Sequence, residues 1–206
     1  MNKLGKLIIR RRIMAFEFEF LHALEGLRNP VLDAIMLFIT RLGDNNIVWH
    51  IFCWTLILLP ARKKYHEKDY DDEYEAKIKK RRKLGWAILV AEIFSMIIVS
   101  YVLKTVVGRP RPFYVDSTLF VNRNQIAVML PSRTSFPSGH TSAAFAAAFA
   151  SLFAYKKKAI PVLIFACLMA FSRMYFFVHY PTDILGGIVT GFISAKLATV
   201  FSEYMA

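Results

Sequence analysis

His179 and Asp183 stand four residues apart at the end of SRMYFFVHYPTD, residues 172 to 183. A carboxylate that accepts a hydrogen bond from one imidazole nitrogen fixes the tautomer and leaves the other nitrogen nucleophilic. The spacing allows one helix face, but Pro181 between the two favours a turn joining two helices. A plainer reading makes Asp183 the cap of the last helix, with His179 at an interface. A second group, Pro137-Ser138-Gly139-His140, opens a helix. Its first backbone N–H groups lack intrahelical acceptors and lie at the positive end of the helix dipole, which makes an anion site. Gly139 lets an anion approach the backbone and Ser138 adds a hydroxyl donor, although an ordinary helix start with an early proline explains the tetrapeptide too. Cations form the third group: Lys104, Arg109, Arg111 and Arg173. Each taken singly is an ordinary helix-end cation that snorkels to water. Several converging without matching carboxylates repel one another unless an anion joins them, and phosphate suits forked guanidinium donors.

The elements that must position these residues are apolar. The chain has 206 residues, 56% hydrophobic and 20% charged, and the charges are segregated. Ten of the 27 Lys and Arg fall between Arg62 and Lys83, whereas residues 84 to 103 contain one charge, Glu92. A hydrocarbon core of about 30 Å needs roughly 20 helical residues, so this stretch reads as a span. The net charge of +12 follows from the positive-inside rule rather than from a nucleic-acid face, because no basic surface interleaved with exposed aromatics occurs outside the apolar runs. Cys53 and Cys167 each lie in an apolar run, which indicates neither a disulfide framework nor a cysteine metal site. Basic residues at the N-terminus are not followed by a long apolar stretch and cleavage site, so no cleaved signal peptide is expected.

Residues 13 to 43 are too polar for a comfortable span and suit helices lying in the interface, broken at Asn29-Pro30 and ended by Gly43-Asp44-Asn45-Asn46. The basic start argues for the cytoplasm, while the polarity argues against a crossing. Residues 47 to 61 are apolar but short. The charged block from Ala61 to Lys83 is cytoplasmic, residues 84 to 107 lead outward, and Gly108-Arg109-Pro110-Arg111-Pro112 stops that helix. Residues 113 to 136 form an outer loop. Pro137 to Tyr155 form a helix of small residues that permit close packing, ending at Lys156-Lys157-Lys158; residues 159 to 178 return outward and 183 to 203 go back. The resulting fold class is all-α, a polytopic membrane bundle of five to six transmembrane helices with N-terminal interfacial amphipathic helices. The chain reads as one membrane domain, 1–206, with interfacial helices over 1–43 and a transmembrane bundle carrying the candidate site over 44–206. His50, Glu92 and Lys196 lie inside apolar runs and need partners. Glu92 and Lys196 both sit roughly 18 to 20 Å below the site, a depth at which they could pair in a structural role.

Three motifs in order resemble the type 2 phosphatidic acid phosphatase, or lipid phosphate phosphatase, superfamily, which also includes vanadium haloperoxidases. Lys104-TVVGRP-Arg111-Pro112 is similar to the first, Pro137-Ser138-Gly139-His140 to the second, and the run from Ser172-Arg173 through His179 to Asp183 to the third. The resemblance covers roughly residues 30 to 203. It implies that His179 attacks phosphorus with Asp183 orienting it, and that His140 protonates the leaving oxygen and later serves as base. Lys104, Arg111 and Arg173 would hold the phosphate oxygens, with Ser138 and the Gly139 amide assisting. No metal or other cofactor is called for, since the cations supply the electrostatics and no carboxylate cluster suits magnesium. Arg109 falls outside the family's fixed positions and becomes a possible head-group contact. Arg123 and Arg133 are candidates to select the lipid.

The expected partners are a lipid phosphate or pyrophosphate and the surrounding lipids, with no nucleic acid; the oligomeric state stays open. The expected enzyme is a metal-independent phosphatase of the cell membrane whose site faces the extracytoplasmic side. Undecaprenyl pyrophosphate leads by resemblance, with phosphatidylglycerophosphate or phosphatidate close behind. A lipid phosphotransferase would use the same site with another acceptor. A transporter should show broken helices at the midplane, and a non-catalytic lipid-binding protein should have lost a catalytic residue.

Overall fold

In a computed structural model, residues 3–59, 70–119 and 134–204 are described. Arg123 and Arg133 lie outside them, as does most of the outer loop. Every named element is helical. In chain order these are α1 (Lys3–Glu25), α2 (Pro30–Leu42), α3 (Ile47–Leu58), α4 (Tyr70–Met96), α5 (Lys104–Val107), α6 (Pro112–Val115), α7 (Gly139–Tyr155), α8 (Ile160–Tyr175) and α9 (Pro181–Tyr204).

Among the described residues, three stretches are long and apolar enough to cross a bilayer: Glu73–Val107, Gly139–Tyr175 and Pro181–Ser202. The second is divided by a 3-10 turn at Lys156–Ala159 into α7 and α8, which pack against each other. Around α4, α7 and α9, which all touch one another, α3 covers α4 and α8 covers α7. Outward faces carry exposed Ile93, Ile97, Val189, Ile193 and Val200, the pattern of a bundle whose solvent is lipid.

Small residues decide how closely the central helices approach. Six alanines of α7 between Ala143 and Ala150 are buried, Ala144, Ala146, Ala147 and Ala148 completely. Opposite them, Gly191 has no room for a side chain, because a Cβ there would lie 2.7 Å from the Ser142 carbonyl oxygen and 2.9 Å from the Ala146 nitrogen. Backbone cannot swing aside as a flexible side chain can. Gly191→Ala should therefore lower stability by about 1–3 kcal/mol, despite alanine's better helix propensity. Thermal unfolding in detergent measures it, and an unchanged midpoint would contradict so close a contact. A buried hydroxyl layer joins the same three helices: Ser95 Oγ lies 2.7 Å from Ser142 Oγ, and Thr190 Oγ1 donates to Ser142 Oγ at 2.9 Å.

Several boundaries differ from the sequence expectation. Helix α4 starts at Tyr70 rather than near residue 84, because the charged block is itself a good helix former, with Lys77 and Glu73 paired at 2.7 Å one turn apart. Helix α7 starts at Gly139, since Ser138 rather than Pro137 caps it. Glu92 and Lys196 do not pair: Glu92 is buried, whereas Lys196 is exposed and its ammonium lies 4.9 Å over the Phe153 ring. His50 lies on the exposed face of α3, in its first turn.

The N-terminal helices also contribute to the core. Asn29 caps α2 by accepting from the Leu32 N–H at 2.9 Å. Leu21 and Leu24 of α1 and Met36 and Ile39 of α2 belong to the same buried core as the α7 alanines.

Candidate active site

Three local devices bring the motifs together. Helix α4 widens into a π-helical segment, Ile97–Leu103, so that the Lys104 N–H bonds to the Val99 carbonyl. One extra residue in a turn rotates everything after it by about 100°, and this places Lys104 close enough to feel the charges of Arg111, Arg173 and Asp183. Gly108, at φ +58°, then ends the helix in the left-handed conformation, with its N–H on the Lys104 carbonyl.

The second device is a cross-tie. Ser135 N–H donates to the Arg109 carbonyl at 2.7 Å, and Pro110 and Thr134 form a bridge, which fixes the arginine segment beside the approach to α7. Ser138 N–H donates to the Asp183 carbonyl at 3.1 Å, tying the second motif to the third. Gly187 permits this approach, since a Cβ there would meet the Ser138 carbonyl at 2.9 Å. Ser138 Oγ accepts from the Thr141 N–H and hydroxyl, leaving its own proton for another acceptor. A Cβ at Gly139 would meet only Val99, at 3.9 Å, so packing does not demand glycine there.

The third device is the turn that presents His179. Helix α8 ends with Val178 N–H on the Arg173 carbonyl and Phe177 N–H on the Met174 carbonyl, the paired bonds of a Schellman motif. Its left-handed position, where glycine is usual, holds Phe177 at φ +54°, completely buried. Pro181 opens α9 and Asp183 reaches back to the Tyr180 N–H at 2.9 Å. Asp183 thus bonds backward from the third helical position instead of capping from outside.

His179 is nearly inaccessible, with Nδ1 3.5 Å from Asp183 Oδ2 and Nε2 3.4 Å from Arg111 Nη1. The Nδ1 distance is longer than a good hydrogen bond, as is common in unliganded sites. One nitrogen therefore faces the carboxylate and the other faces the cations. Burial first, then the positive charges of Arg111, Arg173, Lys104 and His140, hold His179 well below the usual histidine value. Its imidazole is neutral at neutral pH. The unfolded chain would take up a proton there near pH ~6.5 that the folded chain refuses. The resulting stability is full above about pH 6.5 and is lost as pH falls toward the folded value. Detergent-solubilised protein should melt lower at about pH 5.5 than at about pH 7.5, with His179→Gln narrowing the gap; an equal gap in the variant would assign the effect elsewhere.

Arg111 is buried, donates to the Val178 carbonyl at 2.9 Å, and is brought down by burial to about 10, so it remains a cation. Arg173 is fully buried; Nη1 donates to Thr40 Oγ1, while Nε and Nη2 have no hydrogen-bond partner among the described residues. His140 Nε2 lies 3.1 Å from Asp44 Oδ1. All of Lys104, Arg111, Ser138, Gly139, His140, Arg173, His179 and Asp183 come from the three stitched segments.

Arg109, outside the three motifs, is tied into the protein itself. Its guanidinium donates to Asp183 Oδ1 at 3.0 Å, to Thr182 Oγ1 at 2.7 Å and to Glu17 Oε2, and it lies 3.7 Å over the Tyr180 ring. These bonds brace Asp183 from behind. Sequence reading missed Glu17, Thr40 and Asp44. A signal existed for the first: Glu17, Leu21 and Leu24 form one buried helical stripe, and an acid on such a stripe needs a partner.

Comparison with known proteins agrees with this architecture. The family model described as PAP2 superfamily matches residues 84–205. Undecaprenyl-diphosphatase BcrC of Bacillus subtilis is 30% identical over 91% of this chain and 85% of its own length. An undecaprenyl-diphosphatase of Sulfolobus acidocaldarius is 27% identical, over 90% and 78%. Among solved structures, the PAP2-type phosphatidylglycerolphosphate phosphatase of Bacillus subtilis superposes with a TM-score of 0.63 at 23% identity, covering 98% of this chain and 94% of that one. Aquifex aeolicus LpxE gives 0.60 at 22%, over 88% and 93%. This chain is a membrane protein belonging to the PAP2 superfamily.

Proposed function

We propose that the chain hydrolyses a lipid diphosphate at the extracytoplasmic membrane face through a phosphohistidine intermediate, without a metal, and that undecaprenyl diphosphate is its substrate. The observation that carries the reading is the environment of His179: a buried neutral imidazole with Nδ1 toward Asp183 and Nε2 toward Arg111. Nε2 attacks the terminal phosphorus while Lys104, Arg111 and Arg173 offset the charge on its oxygens. His140 protonates the leaving oxygen, then takes a proton from the water that cleaves the phosphorus–nitrogen bond. The names of the relatives at 30% and 27% identity favour the undecaprenyl substrate.

Sidedness follows from charge. Arg81, Arg82 and Lys83 lie about 32 Å down the helix from Lys104, and Lys156, Lys157 and Lys158 end α7 opposite Ser138. Both basic clusters are therefore far from the site, and the positive-inside rule assigns them to the cytoplasm. With α3, α4, α7, α8 and α9 crossing, the bundle has five spans, and a sixth if the N-terminal helices cross. The test is phosphate release by purified protein from a panel of lipid mono- and diphosphates with EDTA present. Release from undecaprenyl diphosphate that survives EDTA supports the reading; folded protein inactive on every member would overturn it.

A further inference from the structure

The geometry points to Asp44 as the positioning residue for His140, the counterpart of Asp183 for His179, so that the site holds two imidazole–carboxylate pairs. This rests on the phosphohistidine reading and adds a residue outside the three motifs. Asp44 Oδ1 lies 3.1 Å from His140 Nε2 across 96 residues of sequence, with the two side chains 33% and 15% exposed.

Other contacts show that the pairing belongs to a built surface. Asp44 opens the 3-10 turn Asp44–Asn46, in which Asn45 and Asn46 both take left-handed conformations, at φ 51° and 56°. Asparagine accepts that conformation more readily than most residues, and the turn holds the carboxylate at the end of α2. Just before it, a Cβ on Gly43 would lie 2.7 Å from His140 Cδ2 and 2.8 Å from Met169 Sδ. The backbone of Gly43 is thus a wall against the imidazole edge. One turn earlier, Thr40 Oγ1 accepts from Arg173. The strip from Thr40 to Asp44 therefore braces a proton-transfer residue and a phosphate-binding residue together.

With Nε2 held by Asp44, the other ring nitrogen is left to exchange the proton. In the first step the His179 Nε2 lone pair forms the nitrogen–phosphorus bond, the phosphorus–oxygen bond breaks, and the leaving oxygen keeps that electron pair and receives the proton of His140. In the second, water forms the new phosphorus–oxygen bond, its proton passes to His140, and the phosphorus–nitrogen electron pair returns to His179. Asp44 offsets the imidazolium charge whenever His140 holds the proton, against Arg173 and Lys104, which oppose it, and beside neutral His179.

The discriminating property is the leaving group. An alkyl oxygen needs a proton to depart, whereas an activated aryl oxygen does not. Asp44→Asn is nearly isosteric and, at a third exposed, leaves the fold intact; thermal unfolding and gel filtration check this. In rapid-mixing experiments Asp44→Asn should slow first-turnover cleavage of a long-chain alkyl phosphate by about 10²-fold. The burst of phenol released from an aryl phosphate with the same chain should change less than about tenfold, followed by a slowed steady state, because breakdown of phosphohistidine still uses His140. In a His140→Asn background the substitution should cost almost nothing further, since the two act as a unit. Equal losses on both substrates, the same loss in the His140→Asn background, or a gain in rate would overturn the assignment. Wild-type behaviour of Asp44→Asn while His179→Ala is dead would sink this inference alone; activity surviving in His179→Ala would sink the reading beneath it.

Discussion

Replacing His179 with alanine is expected to remove lipid phosphate hydrolysis, a drop on the order of 10⁴- to 10⁶-fold in kcat, while binding of the lipid persists. Water held by the same cations would attack poorly, because the substitution removes the nucleophile and leaves the anion site. The variant should also fail to form the acid-labile phosphoenzyme that wild-type protein accumulates on rapid acid quench. Its folding should survive, since the imidazole makes only the long 3.5 and 3.4 Å contacts and gives up no strong hydrogen bond. More than about one per cent residual turnover, well above the stated drop, would show that another group attacks phosphorus.

Arg173 gives the second large effect, and there activity and stability should move in opposite directions. Its guanidinium is fully buried, and among the described residues only Nη1 has a partner. A buried charge without full pairing costs several kcal/mol, so the folded state carries a burden that a bound phosphate relieves. Arg173→Met keeps the length and discards the charge. Turnover should fall by about 10²- to 10³-fold, as for loss of one transition-state donor. The melting temperature in detergent should rise, and added orthovanadate, which raises it for wild-type protein, should do so much less for the variant. A variant both inactive and less stable would mean that Arg173 serves mainly as a structural strut.

Much of this was legible from residue type and spacing. The apolar run after Lys83, the prolines at 110 and 112, and the motifs at 137–140 and 172–183 mark where helices stop and which polar groups sit at their ends. Pro181 correctly signalled a turn between His179 and Asp183. Contacts across the fold were not legible. Nothing in the sequence connects Arg109 to Glu17, 92 residues away. Asp44 read as part of a terminating turn, because Gly-Asp-Asn-Asn is also what an ordinary loop looks like. Polarity in the N-terminal helices did not reveal its partners: Glu17, Arg28 and Asp33 argued for the interface, and Glu17 also holds Arg109 while Asp33 accepts from Tyr175. Arg28 grips Asp33 at 2.9 Å and spreads over Tyr175, Phe176 and Phe177, the turn leading to His179.

The matched region begins at residue 84, yet Glu17, Thr40 and Asp44, which brace Arg109, Arg173 and His140, all precede it. The two parts of the chain therefore cannot drift independently over evolutionary time. A change in the reacting segments selects for an answering change in the first three helices, and a hybrid that joins those helices to a distant relative's bundle inherits intact chemistry on mismatched supports. Restoring such a hybrid would require exchanging residues 17, 40 and 44 together with the groups they hold.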